Sequence, residues 1–88
     1  MIELRPTLSQ CIETLAKREY WRSVEEYLKV KTGDKDLEER IELLKSFLET
    51  EDFKALRSRS ERHMTEGKGV TFTIFIKDGK PSHRMSVK

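Results

Sequence analysis

The sequence predicts an α+β domain in which three helices pack on a C-terminal antiparallel β-hairpin, with the sheet extended by the N-terminal segment or by a second subunit. Three observations carry this. Apolar residues recur at helical spacing in three successive stretches up to Met64. From Val70 the pattern becomes strict alternation, the period of a strand with one buried face. Asp78-Gly79 then interrupts the alternation with a dipeptide suited to a tight type I′ turn, where both central residues need positive φ.

Taken in order, Ile2 to Arg5 reads as a short strand or an extended arm. Pro6 and Thr7 mark a helix start, with Gln10 three residues after Thr7 as in a capping box. Leu8, Ile12, Leu15, Ala16, Tyr20, Val24, Tyr27 and Leu28 form one stripe, so a first helix is expected over about 8–31. Gly33 after Lys31-Thr32 supplies its stop. Such a helix is about 36 Å long at 1.5 Å per residue. That exceeds what a small core needs, so either the chain bends near Tyr20-Trp21-Arg22 or one end projects beyond the core. Trp21 lies one position off the stripe, as a half-covered flank residue or as an aromatic contact for a partner.

The second helix is expected over 37–48, capped by Asp36 with Glu39, and buries Leu37, Ile41, Leu44, Phe47 and Leu48. Glu38, Glu39, Glu42 and Lys45 fall on its wet side. Thr50 is the expected cap of a third helix over 51–65 with Phe53, Leu56, Ser60 and Met64 inside, antiparallel to the second because the connection is very short. The hairpin spans 70–77 and 80–88. Counting outward from the turn pairs Lys77 with Lys80, Ile76 with Pro81, Ile74 with His83, Phe72 with Met85 and Val70 with Val87. This register assigns Val70, Phe72, Ile74, Ile76, Met85 and Val87 to the core, and a one-residue slip would expose the whole set. Phe75 and Arg84 fall on the opposite, mostly polar face.

With 88 residues, 35% apolar and 39% charged, the chain suits one domain, 1–88, with a modest core. A domain this small buries little more than half of its unfolded surface, so added burial from a second subunit is physically favourable. The single cysteine, Cys11, excludes an internal disulfide, and its neighbours Leu8, Ile12 and Leu15 indicate a small buried thiol. No apolar run approaches a membrane span, and the N-terminus has no signal-peptide pattern, so a cytoplasmic protein without membrane contact is the expectation.

Residues 1–52 carry 9 Lys and Arg against 13 Asp and Glu, whereas residues 53–88 carry 9 against 3. The basic C-terminal part gives the candidate binding residues: Arg57, Arg59, Arg62 and His63 on the third helix, Lys68 after it, and Phe75 with Arg84 on the outer hairpin face. Lysine and arginine suit phosphate contact, and an arginine beside an aromatic ring suits base stacking or an acidic segment. The competing account is that these charges solvate a helix and a sheet face.

No catalytic residue, metal ligand set or cofactor motif is assigned. His63 and His83 have no acidic partner identifiable in the sequence, and Cys11, His63 and His83 lack metal-ligand spacing. Gly67-Lys68-Gly69 follows a helix and precedes a strand, the reverse of a phosphate-binding loop. The expected function is a small non-enzymatic interaction protein, forming a homo-oligomer or docking on a partner protein, with RNA or DNA binding through the basic part as the alternative.

Overall fold

A computed structural model of the chain describes residues 1–30 and 33–88. The described residues form β1 (Ile2–Leu4), α1 (Ile12–Lys29), α2 (Lys35–Thr50), α3 (Phe53–Thr65), β2 (Val70–Lys77) and β3 (Lys80–Val87). Three helices accompany one antiparallel sheet of order β1-β2-β3, so the fold is α+β as expected.

The hairpin has the expected register throughout, from Lys77 opposite Lys80 to Val70 opposite Val87. Asp78 and Gly79 take φ of 52° and 74°, the left-handed conformations that a type I′ turn requires. Of the two ways to extend the sheet, the N-terminal segment supplies one. Ile2 pairs with Ile74 and Leu4 with Phe72, and the alternation of β1 sends both apolar side chains into the core.

Helix boundaries differ from expectation wherever two polar residues compete for a cap. Thr7 and Gln10 do bond, but they close a turn before α1: Gln10 N–H lies 3.1 Å from the Thr7 carbonyl and 3.1 Å from Thr7 Oγ1. The helix therefore starts at Ile12, and Leu8 is left 58% exposed. The helix ends at Lys29, with an extended Val30 as the C-cap, so the expected stop at Gly33 is not what ends it; the expected last residue, Lys31, lies outside the described residues.

Asp34, two residues earlier than expected, caps α2 by accepting from the N–H groups of Asp36 at 3.0 Å and Leu37 at 3.2 Å. Thr50 ends α2 instead of starting α3, since its hydroxyl donates to the Ser46 carbonyl at 2.7 Å. Asp52 caps α3 through the Ala55 N–H at 3.2 Å.

All three helices lie on one face of the sheet. The core joins Ile2 and Leu4 of β1, Ile12 and Ala16 of α1, Leu43, Leu44 and Phe47 of α2, Leu56 of α3, and Val70, Phe72 and Ile74 of β2. Two hairpin residues expected in the core are outside it: Ile76 is 59% exposed and Val87 37% exposed. Both have inner-face parity, but Ile76 lies beyond the helical layer at the turn end, and Val87 lies on the edge strand beside the buried Val70. Packing instead reaches β3 through Met85, which leans on the core.

The α1 helix is continuous, so the excess length projects. Trp21 and Leu28 stay exposed, and the domain measures 46 × 29 × 21 Å. Polar bonds hold the projecting parts of α1 and α2 together. Arg40 donates to Ser23 Oγ at 3.1 Å and to the Glu19 carboxylate at 3.0 Å, and the Tyr27 hydroxyl donates to Glu38 at 2.8 Å.

Candidate functional site

In a two-residue hairpin the residues flanking the turn bond to each other, and alternate residues along each strand then point their backbone groups outward. Lys80, Ser82, Arg84 and Ser86 therefore face β2, and the Lys88 N–H continues this parity by donating to the Gly69 carbonyl at 3.0 Å. The N–H groups of His83, Met85 and Val87 point away from the sheet. Pro81 has the same outward parity, so its missing N–H removes no bond to β2. The free edge thus displays backbone donors and acceptors over most of an eight-residue strand.

The opposite edge is guarded differently. β1 is three residues long, bears an exposed Glu3 and is followed by Arg5 and Pro6. A short, charged edge running into proline offers little backbone for pairing. On β3 the guarding charges, Lys80 and Arg84, project from the sheet faces and do not block the backbone.

The candidate residues read from the sequence do not gather on one surface. Arg57, Arg59, Arg62 and His63 lie on α3 in the helical layer, whereas Phe75 and Arg84 project from the sheet face without helices. Arg84 places its guanidinium 6.0 Å from the centre of the Phe75 ring, within the range of a cation–π contact. Thr73 beside them is buried, flanked across the strands by Glu3 and Arg84. Two of the cations already have partners: Arg57 bonds Glu61 at 2.8 Å, which raises its pKa further, and Lys68 meets Glu66 at 3.2 Å. Arg59 and Arg62 are exposed. His63 is half-buried, and its Nδ1 is shielded from solvent and has no hydrogen-bond partner among the described residues.

His83 departs from expectation by having an acidic partner. Its Nδ1 lies 2.9 Å from Glu51 Oε1, while its ring stands edge-on to Phe47 at 5.7 Å and tilts against Phe72 at 6.3 Å. Glu51 occupies the two-residue link between α2 and α3, so this pair clasps β3 to the helical layer. The sequence separation of the two residues hid the contact.

Cys11 also differs from the buried thiol expected. It is partly exposed at the N-terminus of α1, with Sγ 3.3 Å from Thr14 Oγ1. The Thr14 hydroxyl and then the Thr14 N–H lower the thiol pKa, against the effect of burial, and the Arg57 guanidinium adds slightly to the lowering. The three-residue spacing of Cys11 and Thr14 at a helix start was the available signal. Among the described residues no group of three His, Cys, Asp or Glu side chains is placed to hold a metal ion, and no helix is long and apolar enough to cross a membrane.

The fold and this site define a small α+β domain with one guarded sheet edge and one open one. By sequence comparison the chain belongs to a protein family whose model matches residues 1–84. No curated protein and no solved structure matches it.

Proposed function

We propose that the domain is a non-enzymatic interaction protein whose working form is a homodimer joined along β3. The observation that supports this is the outward-facing backbone of His83, Met85 and Val87. Antiparallel pairing of two β3 strands about Met85 sets Met85 against Met85 of the second copy and His83 against the second copy's Val87. That gives about six new backbone hydrogen bonds and one continuous six-stranded sheet. It also brings His83 over the exposed Val87 of the other copy.

Charge disfavours the neighbouring register. Centred on Met85, the pairing places Arg84 opposite Ser86 and Ser82 opposite Lys88, so no like charges meet. Centred one residue earlier, it would set Arg84 against Arg84 and Lys80 against Lys88, which is unfavourable. The nucleic-acid alternative has weaker support, because α3 and the Phe75–Arg84 face lie on different sides of the domain and two of the cations are already paired.

Sedimentation equilibrium over a concentration series is the test. Ser86 is exposed, so its replacement leaves the fold intact. Ser86→Lys places a cation opposite Arg84 twice in the dimer and weakens it, while Ser86→Glu creates two opposite-charge pairs and strengthens it. At about 0.2–1 kcal/mol per cross-strand pair, each changes the dissociation constant by about 2- to 30-fold. A monomer at all concentrations up to millimolar, or a dimer indifferent to both changes, overturns the proposal.

A further inference from the structure

Ile76 belongs by strand parity to the helix-side face, yet it is 59% exposed, whereas Ile74 on the same face is fully enclosed. The helical layer therefore ends between them. Beyond that point α2 overhangs the turn end of the sheet and leaves a cleft of about 900 Å³. Ile2, Ile76 and Pro81 line its sheet side, and Leu37 and Leu43 line its α2 side. Ile2 and Leu43 are buried at its base, so the uncovered apolar surface is that of Ile76 and Pro81 with part of Leu37, and such surface at the rim of a small domain is a binding feature.

The surroundings of the cleft specify the chemistry of what fits it. Asp36, Glu39 and Glu42 of α2 and Glu26 of α1 also line it, and among the described residues none of these carboxylates has a basic side chain within ion-pair distance. Among the described residues Arg40 is the one basic side chain in the lining, which Met1 also joins, and the Arg40 guanidinium is held by Ser23 and Glu19. Acidic walls over an apolar floor repel acidic segments and leave a purely apolar one without partners for the rim. Complementarity calls for apolar side chains flanked by lysine or arginine. The whole molecule carries a formal charge of +2, so attraction of a basic segment depends on this local acidity and not on net charge.

We infer that the cleft between α2 and the turn of the β2–β3 hairpin is a docking groove for a basic, amphipathic segment of a partner protein. The α2 wall from Asp36 to Ser46 runs about 15 Å at 1.5 Å per residue, the length of roughly ten helical residues. Recognition divides between Ile76 and Leu37, which take the apolar face, and Glu39 and Glu42, which meet its cations.

The test uses a fluorescein-labelled peptide of about ten residues with lysine and leucine at helical spacing, followed by anisotropy and by amide chemical shifts of the full chain. It is run on the wild type and on the Ser86→Lys variant, so that cleft binding is read separately from association along β3. The expected result is saturable binding, with shifts confined to Leu37–Ser46 and Ile76–Pro81. Glu39→Lys with Glu42→Lys should weaken it at least about tenfold, and Ile76→Asp should abolish it. Both sets of changes fall on exposed side chains, and far-UV circular dichroism confirms that the fold is kept. A glutamate–leucine peptide and a lysine–serine peptide should not bind. Absence of saturable binding, equal binding by either control peptide, indifference to the paired glutamate change, or shifts centred on α3 or β3 overturns the inference. Cleft shifts that follow protein concentration without peptide assign the groove to a second copy and likewise overturn it.

Discussion

Replacing Leu4 by alanine asks whether β1 is part of the folded unit or an arm laid beside it. Leu4 and Ile2 are both almost fully buried in the core, and Leu4 pairs with Phe72 at its centre. Truncating a leucine in such a place costs about 2–5 kcal/mol, the sum of lost transfer energy and the cavity left behind. At about 0.05–0.15 kcal/mol per residue, a chain of this length has about 4–13 kcal/mol in total. Leu4→Ala therefore removes a large fraction of it and lowers the urea midpoint, followed by far-UV circular dichroism, by about 1–3 M.

Glu3→Ala supplies the control, because Glu3 points to the other face and its one ion-pair partner among the described residues is Arg5, at 3.4 Å. Its effect should stay within about 0.5 kcal/mol. Hydrogen exchange gives a second reading. The N–H groups of Phe72 and Ile74 face β1 and should lose protection in Leu4→Ala, while those of Thr73 and Phe75 face β3 and should keep it. Equal midpoints for Leu4→Ala and Glu3→Ala would show that β1 adds nothing to stability and would refute the three-stranded sheet as a cooperative unit.

Three further outcomes follow from individual contacts. His63→Leu removes a shielded nitrogen that has no partner and should stabilise the domain by about 1 kcal/mol, read as a rise of several degrees in Tm. Asp52→Ala should cost about 1 kcal/mol as the loss of the α3 cap, against a smaller loss for Thr50→Ala, and the reverse order in urea melts would restore Thr50 as the cap. Because the Cys11 pKa is lowered in the folded state, iodoacetamide should alkylate it faster near pH 8 than the unfolded chain's thiol, and Thr14→Val should slow it. The sign for stability is that of a depressed acid: the contribution is present above the unfolded thiol's pKa and is lost as pH falls through the folded one.

The elements most legible in the sequence were those set by local chemistry. Asp78-Gly79 and strict alternation fixed each pair of the hairpin, because turn geometry and the buried face demand the same register. Helix existence was equally plain, but helix starts were not. Thr7, Asp36 and Thr50 are all competent caps, and the choice among neighbours depends on where the next element packs. Leu8 fits the α1 stripe by spacing, yet it lies within a turn closed by Thr7 and Gln10 and so never joins the helix.

The candidate site was legible only in part, for a physical reason visible at Ile76. Periodicity states which residues share a face; it does not state how far a covering helix extends over that face. Ile76 and Val87 have the parity of core residues and lack the cover, which converts two expected core positions into exposed apolar surface at the two ends of one hairpin. The charge division acquires a different meaning on the same grounds. Glu39 and Glu42 read in the sequence as a wet helix face, because an acidic stripe on an amphipathic helix needs no other explanation. Once α2 overhangs Ile76 and Pro81, those carboxylates stand beside uncovered apolar surface. Solvation alone would not require that juxtaposition, and so the acidic half of the chain, and not only its basic half, gains a claim to function.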